Sequence, residues 1–252
     1  MPDVNNLARK LGTLAAVAAL AALLTALLSA VGYRAGWFDV PSAFALLRWS
    51  LGLAVPAVVV ALATLGIAAA RRNVTGAIPA GLALLVALAA AWPPLDGVMK
   101  ARSLPYIHDI TTDFDNPPAF EAVLPLREGA ANPPEYPGAE VADKQREAYP
   151  EVGPLYSSVA TGTVFETAQA VARQRGWDIV HSDPLSGRIE AVDTTLWYGF
   201  KDDVVIRVSA ADDGTRVDIR SKSRVGRSDL GQNARRIADF MARLDRALED
   251  AD

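Results

Sequence analysis

The sequence predicts a three-helix transmembrane anchor followed by an α+β soluble domain, an antiparallel four-stranded sheet with two helices in the order α-β-β-β-β-α. Three observations carry that prediction. The chain of 252 residues is 51% hydrophobic, and the apolar residues gather before position 100 in runs long enough to cross a bilayer. Residues 163–248 instead show helical periodicity at both ends and alternation between them. The alternating runs are joined by hairpin-length connections, so the strands are antiparallel neighbours, and the two helices are expected on one face.

The anchor, residues 1–99, is read first. Leu11 to Val31 is a continuous apolar run preceded by Arg9 and Lys10. Leu28-Ser29-Ala30 faintly resembles a signal-peptidase site, but this apolar core exceeds the usual signal length and more spans follow, so an uncleaved helix is expected. A second run covers Trp49 to Ala70, with Pro56 inside it, which neighbouring helices tolerate in lipid. A third covers Ala77 to Trp92 and extends to about residue 98, with Pro93, Pro94 and Asp96 weakening its end. Gly12, Gly52, Gly66 and Gly81 are candidates for close helix approach. Arg9, Lys10, Arg71 and Arg72 fall on one side, and Arg34, Arg48, Lys100 and Arg102 on the other. The bias is modest and places the N-terminus inside; three spans then put the soluble part outside, in the periplasm, with the anchor in the inner (plasma) membrane. No ionisable residue lies deep in a span, which argues against an ion pathway.

Residues 100–154 form a Pro-rich arm. Nine prolines lie between Pro105 and Pro154, so an extended segment is expected rather than a packed element. Tyr106, Ile107, Phe114, Phe120, Val123, Leu124, Tyr136 and Tyr149 are scattered through it and need apolar surface, so the arm is expected to wrap the following domain.

The domain, residues 155–252, opens with a helix from Thr163 to about Arg175, ended by Gly176. Trp177 to His181 and Arg188 to Thr194 read as short strands across the turn Ser182–Gly187. Asp203 to Ala210 and Thr215 to Val225 alternate and meet at Asp212-Asp213-Gly214, a strong hairpin signal. The last helix runs from about Asp229 to Leu248, its stripe being Leu230, Ala234, Ile237, Met241, Leu244 and Leu248.

One stretch resembles a known family. From Gly199 to Ile237 the chain matches GFxDDVxIRV followed by VDIRSxSRxGxSDxGxNAxRI, and Ile107 to Phe120 (IHDITTDFDNPPAF) matches the arm of membrane-anchored members. With Gly176–Trp177 and Arg188–Ala191 the resemblance covers roughly residues 105–248 and is to the bacterial and plastid family called domain of unknown function 1499, DUF1499. Gln232 stands where the pattern has an apolar residue. The resemblance implies no activity.

Charge and composition limit the chemistry. Residues 1–99 hold six Lys/Arg and three Asp/Glu, residues 100–252 nineteen and twenty-six, so the net −4 hides a basic anchor and an acidic domain. An acidic domain is poor material for nucleic-acid binding. There is no cysteine, which excludes disulfides, thiolate metal sites and Cys nucleophiles. Within the acidic domain residues 220–236 concentrate six cations around one acid, Asp229. Alternation puts Arg220, Lys222 and Arg224 on the face opposite Ile219, Ser221, Ser223 and Val225. With a helix N-terminus beside them, Arg220, Ser223, Arg224, Arg227, Ser228, Asn233 and Arg236 are the candidate residues for an anionic ligand or partner. The competing expectation is structural: Asp202 and Asp203 form ion pairs with Arg220 and Arg224 on the neighbouring strand, and Asn233 ties the turn to the sheet. Asp229 would also repel an anion there.

Other chemistry is weaker. Asp202 and Asp203 point to opposite faces of a strand and cannot easily share a proton. His108 with Asp109 lacks a nucleophile motif, and His181 with Ser182 and Asp183 reads as a turn. Asp109, Asp113, Asp115 and Asn116 lack the EF-hand spacing, so no metal or cofactor is expected. Trp177, Trp197, Tyr198 and Phe200 read as core or arm-docking residues. The expected function is non-catalytic: a module with the lipid bilayer, and a membrane or envelope protein or an anionic ligand, as partners. Its alternatives are a hydrolase or transferase acting on an anionic envelope substrate, with Asp202 or Asp203 as base, and a structural accessory subunit of a membrane complex.

Overall fold

The computed structural model describes residues 4–72 and 74–250, and the chain divides into two compact units, Met1–Met99 and Lys100–Asp252. In the first unit α1 (Val4–Arg34), α2 (Val40–Ala70) and the greater part of α3 (Val74–Ser103) are each long and apolar enough to cross a membrane. They extend beyond the expected spans because polar or Pro-bearing flanks remain helical; α3 runs on through Pro93 and Pro94. The helices pack through alanines: Ala15, Ala19, Ala57, Ala61, Ala83 and Ala87 form one buried cluster, and Ala22, Ala54, Ala90 and Ala91 another. Leu20, Val59 and Leu85 point outward. Of the four glycines expected at the contacts, only Gly12 meets a neighbour, where a Cβ would come 3.3 Å from Pro79; Gly52, Gly66 and Gly81 face open space. Alanine already permits close approach without the entropy loss of glycine.

The second unit is α+β, with a sheet of six strands rather than four. β1 (Asp109–Thr111) and β2 (Leu155–Ser157) both pair with the outer edge of β6 (Gly214–Ser223), which continues through β5 (Lys201–Ala211) and β4 (Arg188–Thr194) to β3 (Asp178–Asp183). All pairings are antiparallel. β1 and β2 are three residues each, too short to leave an alternation signal, and they cover an edge that would otherwise be open. The segment 105–154 is also less extended than expected. It holds β1, a 3₁₀ turn at Leu124–Arg127 and a ten-residue helix, α4 (Ala139–Ala148).

Helices α5 (Thr161–Gln174) and α6 (Gln232–Glu249) cover one face. Val164, Phe165, Ala168, Val171 and Ala172 of α5 and Ala234, Ile237, Phe240, Leu244 and Leu248 of α6 close over Ile189, Val204, Ile206, Val217 and Ile219. Trp177 stacks on Phe240 at 5.2 Å between ring centroids. The stripe on α6 is displaced from the expected one. Leu230 precedes the helix with a positive φ, Met241 is only partly buried, and Phe240 takes the central place.

The opposite face carries a small apolar cluster of Phe120, Val123, Val192 and Val205. Around it the sheet presents charge, because odd and even residues of a strand face opposite ways. Arg216, Asp218, Arg220 and Lys222 of β6, Arg224 just after it, Asp203 and Arg207 of β5 and Glu190 of β4 lie here, and the Pro-rich arm covers them.

Candidate functional site

On the arm side the charged residues form four ion-pair groups. Asp203, fully buried, accepts from Arg224 Nη2 on Oδ1 at 2.6 Å and from Arg224 Nε on Oδ2 at 3.0 Å, and Arg127 from the 3₁₀ turn closes on the same Oδ2. Asp109 of β1 takes a two-pronged bond from Arg220, Nε at 2.9 Å and Nη2 at 2.8 Å, and Lys222 Nζ lies 2.9 Å away. Asp113 and Asp218 share Arg207 and Arg216 at 2.8–3.1 Å. Glu190 receives Arg188 and the backbone amides of Glu121 and Val123 at 3.0–3.2 Å.

These carboxylates hold fewer negative charges than there are cations around them, and arm carbonyls take the surplus donors. Arg220 reaches Pro118 O and Pro134 O, Lys222 reaches Glu135 O, Arg224 reaches Leu126 O, Arg127 reaches Asn132 O and Arg207 reaches Asn116 O. A Pro-rich segment suits this role: an extended backbone leaves its carbonyls without ladder partners, and those carbonyls must find donors when buried. The Arg220 guanidinium also lies over the rings of Phe120 and Tyr136. Burial pushes Tyr136 up to about 12, and the carboxylate of Asp109 adds to it. Burial likewise drives the Lys222 pKa below its ordinary value, partly offset by Asp109.

On the helix side Arg236 of α6 bonds Asp202 at 2.5 Å and Asp193 at 2.7 Å. Burial lowers its pKa, but these two carboxylates outweigh that and hold it above the usual value. Ser221 Oγ donates to Asn233 Oδ1 at 2.6 Å, and Asn233 Nδ2 donates to His108 O at 3.1 Å and Ser223 Oγ at 3.0 Å. Asn233 therefore ties α6 to both β6 and the start of β1. Asp229 accepts from the backbone amides of Gly231 and Asn233, both at 2.8 Å. The mouth of α6 thus already holds an anion, the chain's own carboxylate, where an external one was expected. Burial raises the Asp229 pKa, opposed by those two amide bonds.

The expected anion-binding residues divide accordingly. Arg220, Ser223, Asn233 and Arg236 are buried, Arg224 is largely so, and the bonds above take their donors inward. Ser228 is half-buried, its hydroxyl 3.4 Å from Pro105 O. Arg227 is exposed, its guanidinium 5.8 Å from the ring of Tyr106. The pairing also differs from the expected one. Asp203 does meet Arg224, but Asp202 meets Arg236 across the helix–sheet contact, and Arg220 meets Asp109 of the arm. Asp202 and Arg220 lie on opposite faces of the sheet, which forbids the expected pair.

Asp109, Asp113, Arg127, Glu190, Arg207, Arg216 and Asp218 complete this system beyond the residues the sequence motif points to. Parity along β6 was a usable signal, since Arg216, Asp218, Arg220, Lys222 and Arg224 fall on one face beside an aromatic-bearing arm. Arg127 carries no such signal. A cavity of about 410 Å³ lies at the other end of the sheet, lined by Tyr156, Ser157, Ser158, Ala211, Asp212, Asp213 and Thr215, and shares no residue with these groups. No cluster of three or more His, Asp or Glu suited to a metal occurs among the described residues.

Residues 109–244 match a family model described as "Protein of unknown function (DUF1499)". No curated protein matches the chain.

Proposed function

We infer a non-catalytic role for this chain, which belongs to the DUF1499 family. The module is anchored in the inner membrane of a bacterium, with its soluble unit in the periplasm, and holds an acidic partner group on the solvent rim of the strand–turn–helix 220–236. One observation carries the non-catalytic reading: Asp202 and Asp203, the carboxylates placed to act as bases, each lie against guanidinium groups inside the protein. A base held this way has its lone pairs occupied, and both carboxylates are buried. The inward donors of Arg220, Arg224 and Arg236 serve the fold, which leaves Arg227 and Arg235 as the exposed cations of the segment.

Two measurements test the reading. A reporter active only in the periplasm should be on when fused after Asp252 and off when fused at Arg72; the reverse pattern would overturn the location. Titration of the full chain in nanodiscs with a short poly-aspartate peptide should give saturable binding that is lost in Arg227→Glu. Unchanged binding in that variant would overturn the rim as the contact.

A further inference from the structure

The loop between β4 and β5 is an exposed apolar tip. Leu196 is 82% and Trp197 65% exposed, yet the loop is built rather than loose. Thr195 N donates to Phe200 O at 2.9 Å, Gly199 N to Thr195 O at 3.0 Å, and Phe200 N to Thr195 Oγ1 at 2.9 Å. Behind the tip the rings of Tyr198 and Phe200 stack at 5.1 Å. A rigid loop that holds a tryptophan and a leucine in solvent has lost the option of folding them away.

This loop lies at the end of the sheet where the chain enters β1. Register places Thr194 beside Lys201, Asp202 beside Ser223, and Lys222 beside Asp109, where the chain enters the sheet. Arg224 N donates to Lys201 O and Ser223 N to His108 O, so tip and entry point share one end of the sheet. Two strand spacings separate Lys201 from the β1 position, about 10 Å. Exposed Tyr106, with the Arg227 guanidinium over its ring, lies just before β1. Only Leu104 and Pro105 separate Tyr106 from Ser103, the last residue of α3, so the tether is at most about 11 Å long even when extended. The exposed cations Lys201 and Arg227 flank the same end, and the last turn of α3 adds Lys100 and Arg102. Tyr106, Lys100 and Arg102 lie within a few residues of the end of α3, and strand register brings Trp197, Lys201 and Arg227 to the same end of the sheet; tryptophan, tyrosine and basic residues gathered beside a span are the composition of a headgroup-level surface.

We propose that this end of the soluble unit, Leu196, Trp197, Lys201, Tyr106 and Arg227, docks on the headgroup region of the bilayer the chain itself spans. The proposal rests on the anchoring reading above and names anionic lipid as an acidic group the Arg227 rim meets. Docking orients the unit and turns its opposite end, with the Asp212–Asp213 hairpin and Leu185, toward the aqueous side.

The absence of cysteine makes the test direct. Single variants Leu196→Cys, Leu185→Cys and Val59→Cys carry an environment-sensitive fluorophore, with the full chain in nanodiscs of phosphatidylcholine and phosphatidylglycerol. Doxyl-labelled lipids serve as quencher. Leu196 is expected to be quenched, Leu185 not, and Val59, in α2, strongly. Replacing Trp197 by Ser in the Leu196→Cys background should lower the docked population by about tenfold, the worth of one buried apolar side chain. Quenching at Val59 without quenching at Leu196 overturns the docking and leaves the anchor intact, with the tip then available to a protein. Absence of quenching at Val59 overturns the anchoring reading itself. Equal quenching at Leu196 and Leu185 overturns the assignment of this end of the unit.

Discussion

Replacing Asp203 by alanine is expected to be among the most costly single changes in the α+β unit. Its carboxylate lies between two guanidiniums whose side chains are 3% (Arg127) and 11% (Arg224) exposed. Orphaning one buried charge costs about 3–5 kcal/mol, and here two like charges would be left facing each other. For a unit of this size that is a fall in Tm of roughly 6–20 °C. The geometry also ranks the neighbours. Arg224→Ala leaves a one-to-one pair between Asp203 and Arg127, and Leu126 O loses only a donor at the surface, so its cost should stay at or below about 2 kcal/mol. Arg127→Ala removes the more buried cation and should fall between the two. Replacing all three residues by Leu or Met of similar volume should recover most of the loss, because an apolar core needs no counter-charge. The assay is chemical denaturation of residues 100–252, followed through Trp177, which is buried against Phe240. A cost below about 1 kcal/mol for Asp203→Ala, or a cost for Arg224→Ala equal to it, would refute the reasoning.

Lys222→Met should leave stability at neutral pH within about 1 kcal/mol of the parent, since Arg220 still neutralises Asp109, and a loss above about 3 kcal/mol would contradict this. The folded pKa of Lys222 lies below its ordinary 10.5, so the unfolded chain binds more protons between the two values and stability should rise with pH through the window ending at 10.5. That rise, measured as the denaturation midpoint against pH, should flatten in Lys222→Met. Tyr136 acts in the opposite sense above 10, because the folded state keeps its phenolic proton up to about 12 while the unfolded chain loses it, so stability falls there. Gly187→Ala should cost more than about 2 kcal/mol, because φ is +66° and a Cβ would stand 2.0 Å from the carbonyl oxygen of Val208. A chain beginning at Tyr156 should fail to fold cooperatively, since it lacks β1 and the arm carbonyls; a sharp unfolding transition in that fragment would contradict it.

The parts legible in the sequence were those with a repeating pattern. The apolar runs gave the three long helices, and alternation gave β4, β5 and β6 with the hairpin at Asp212–Gly214. Parity along β6 put Arg220 and Lys222 on one face and Ser221 and Ser223 on the other, as the structure has them, and Arg224, just past the strand, joins Asp203 on the first of these faces. What could not be read were contacts between distant segments. Asp109 meets Arg220 and Lys222 more than a hundred residues later, and Arg127 meets Asp203 across seventy-six. Neither carries a local period. β1 and β2 were invisible for a related reason, because three residues make too short an alternation and their identity as strands comes only from the edge of β6. α4 is masked by its neighbours: residues 139–148 contain no proline, but the prolines on both sides give the whole segment the composition of an extended arm.

The central claim is that the charged family motif binds the arm into the fold, so the arm and the sheet are one cooperative unit. Native-state hydrogen exchange on the full chain tests it through three arm amides. Those of Glu121 and Val123 donate to Glu190, and that of Asn132 donates to the carbonyl of Arg224. They should exchange only on global unfolding, with the same free energy and denaturant slope as Val204 and Ile206 in β5. Exchange of the arm amides through local openings near zero free energy, while β5 stays protected, would contradict the account.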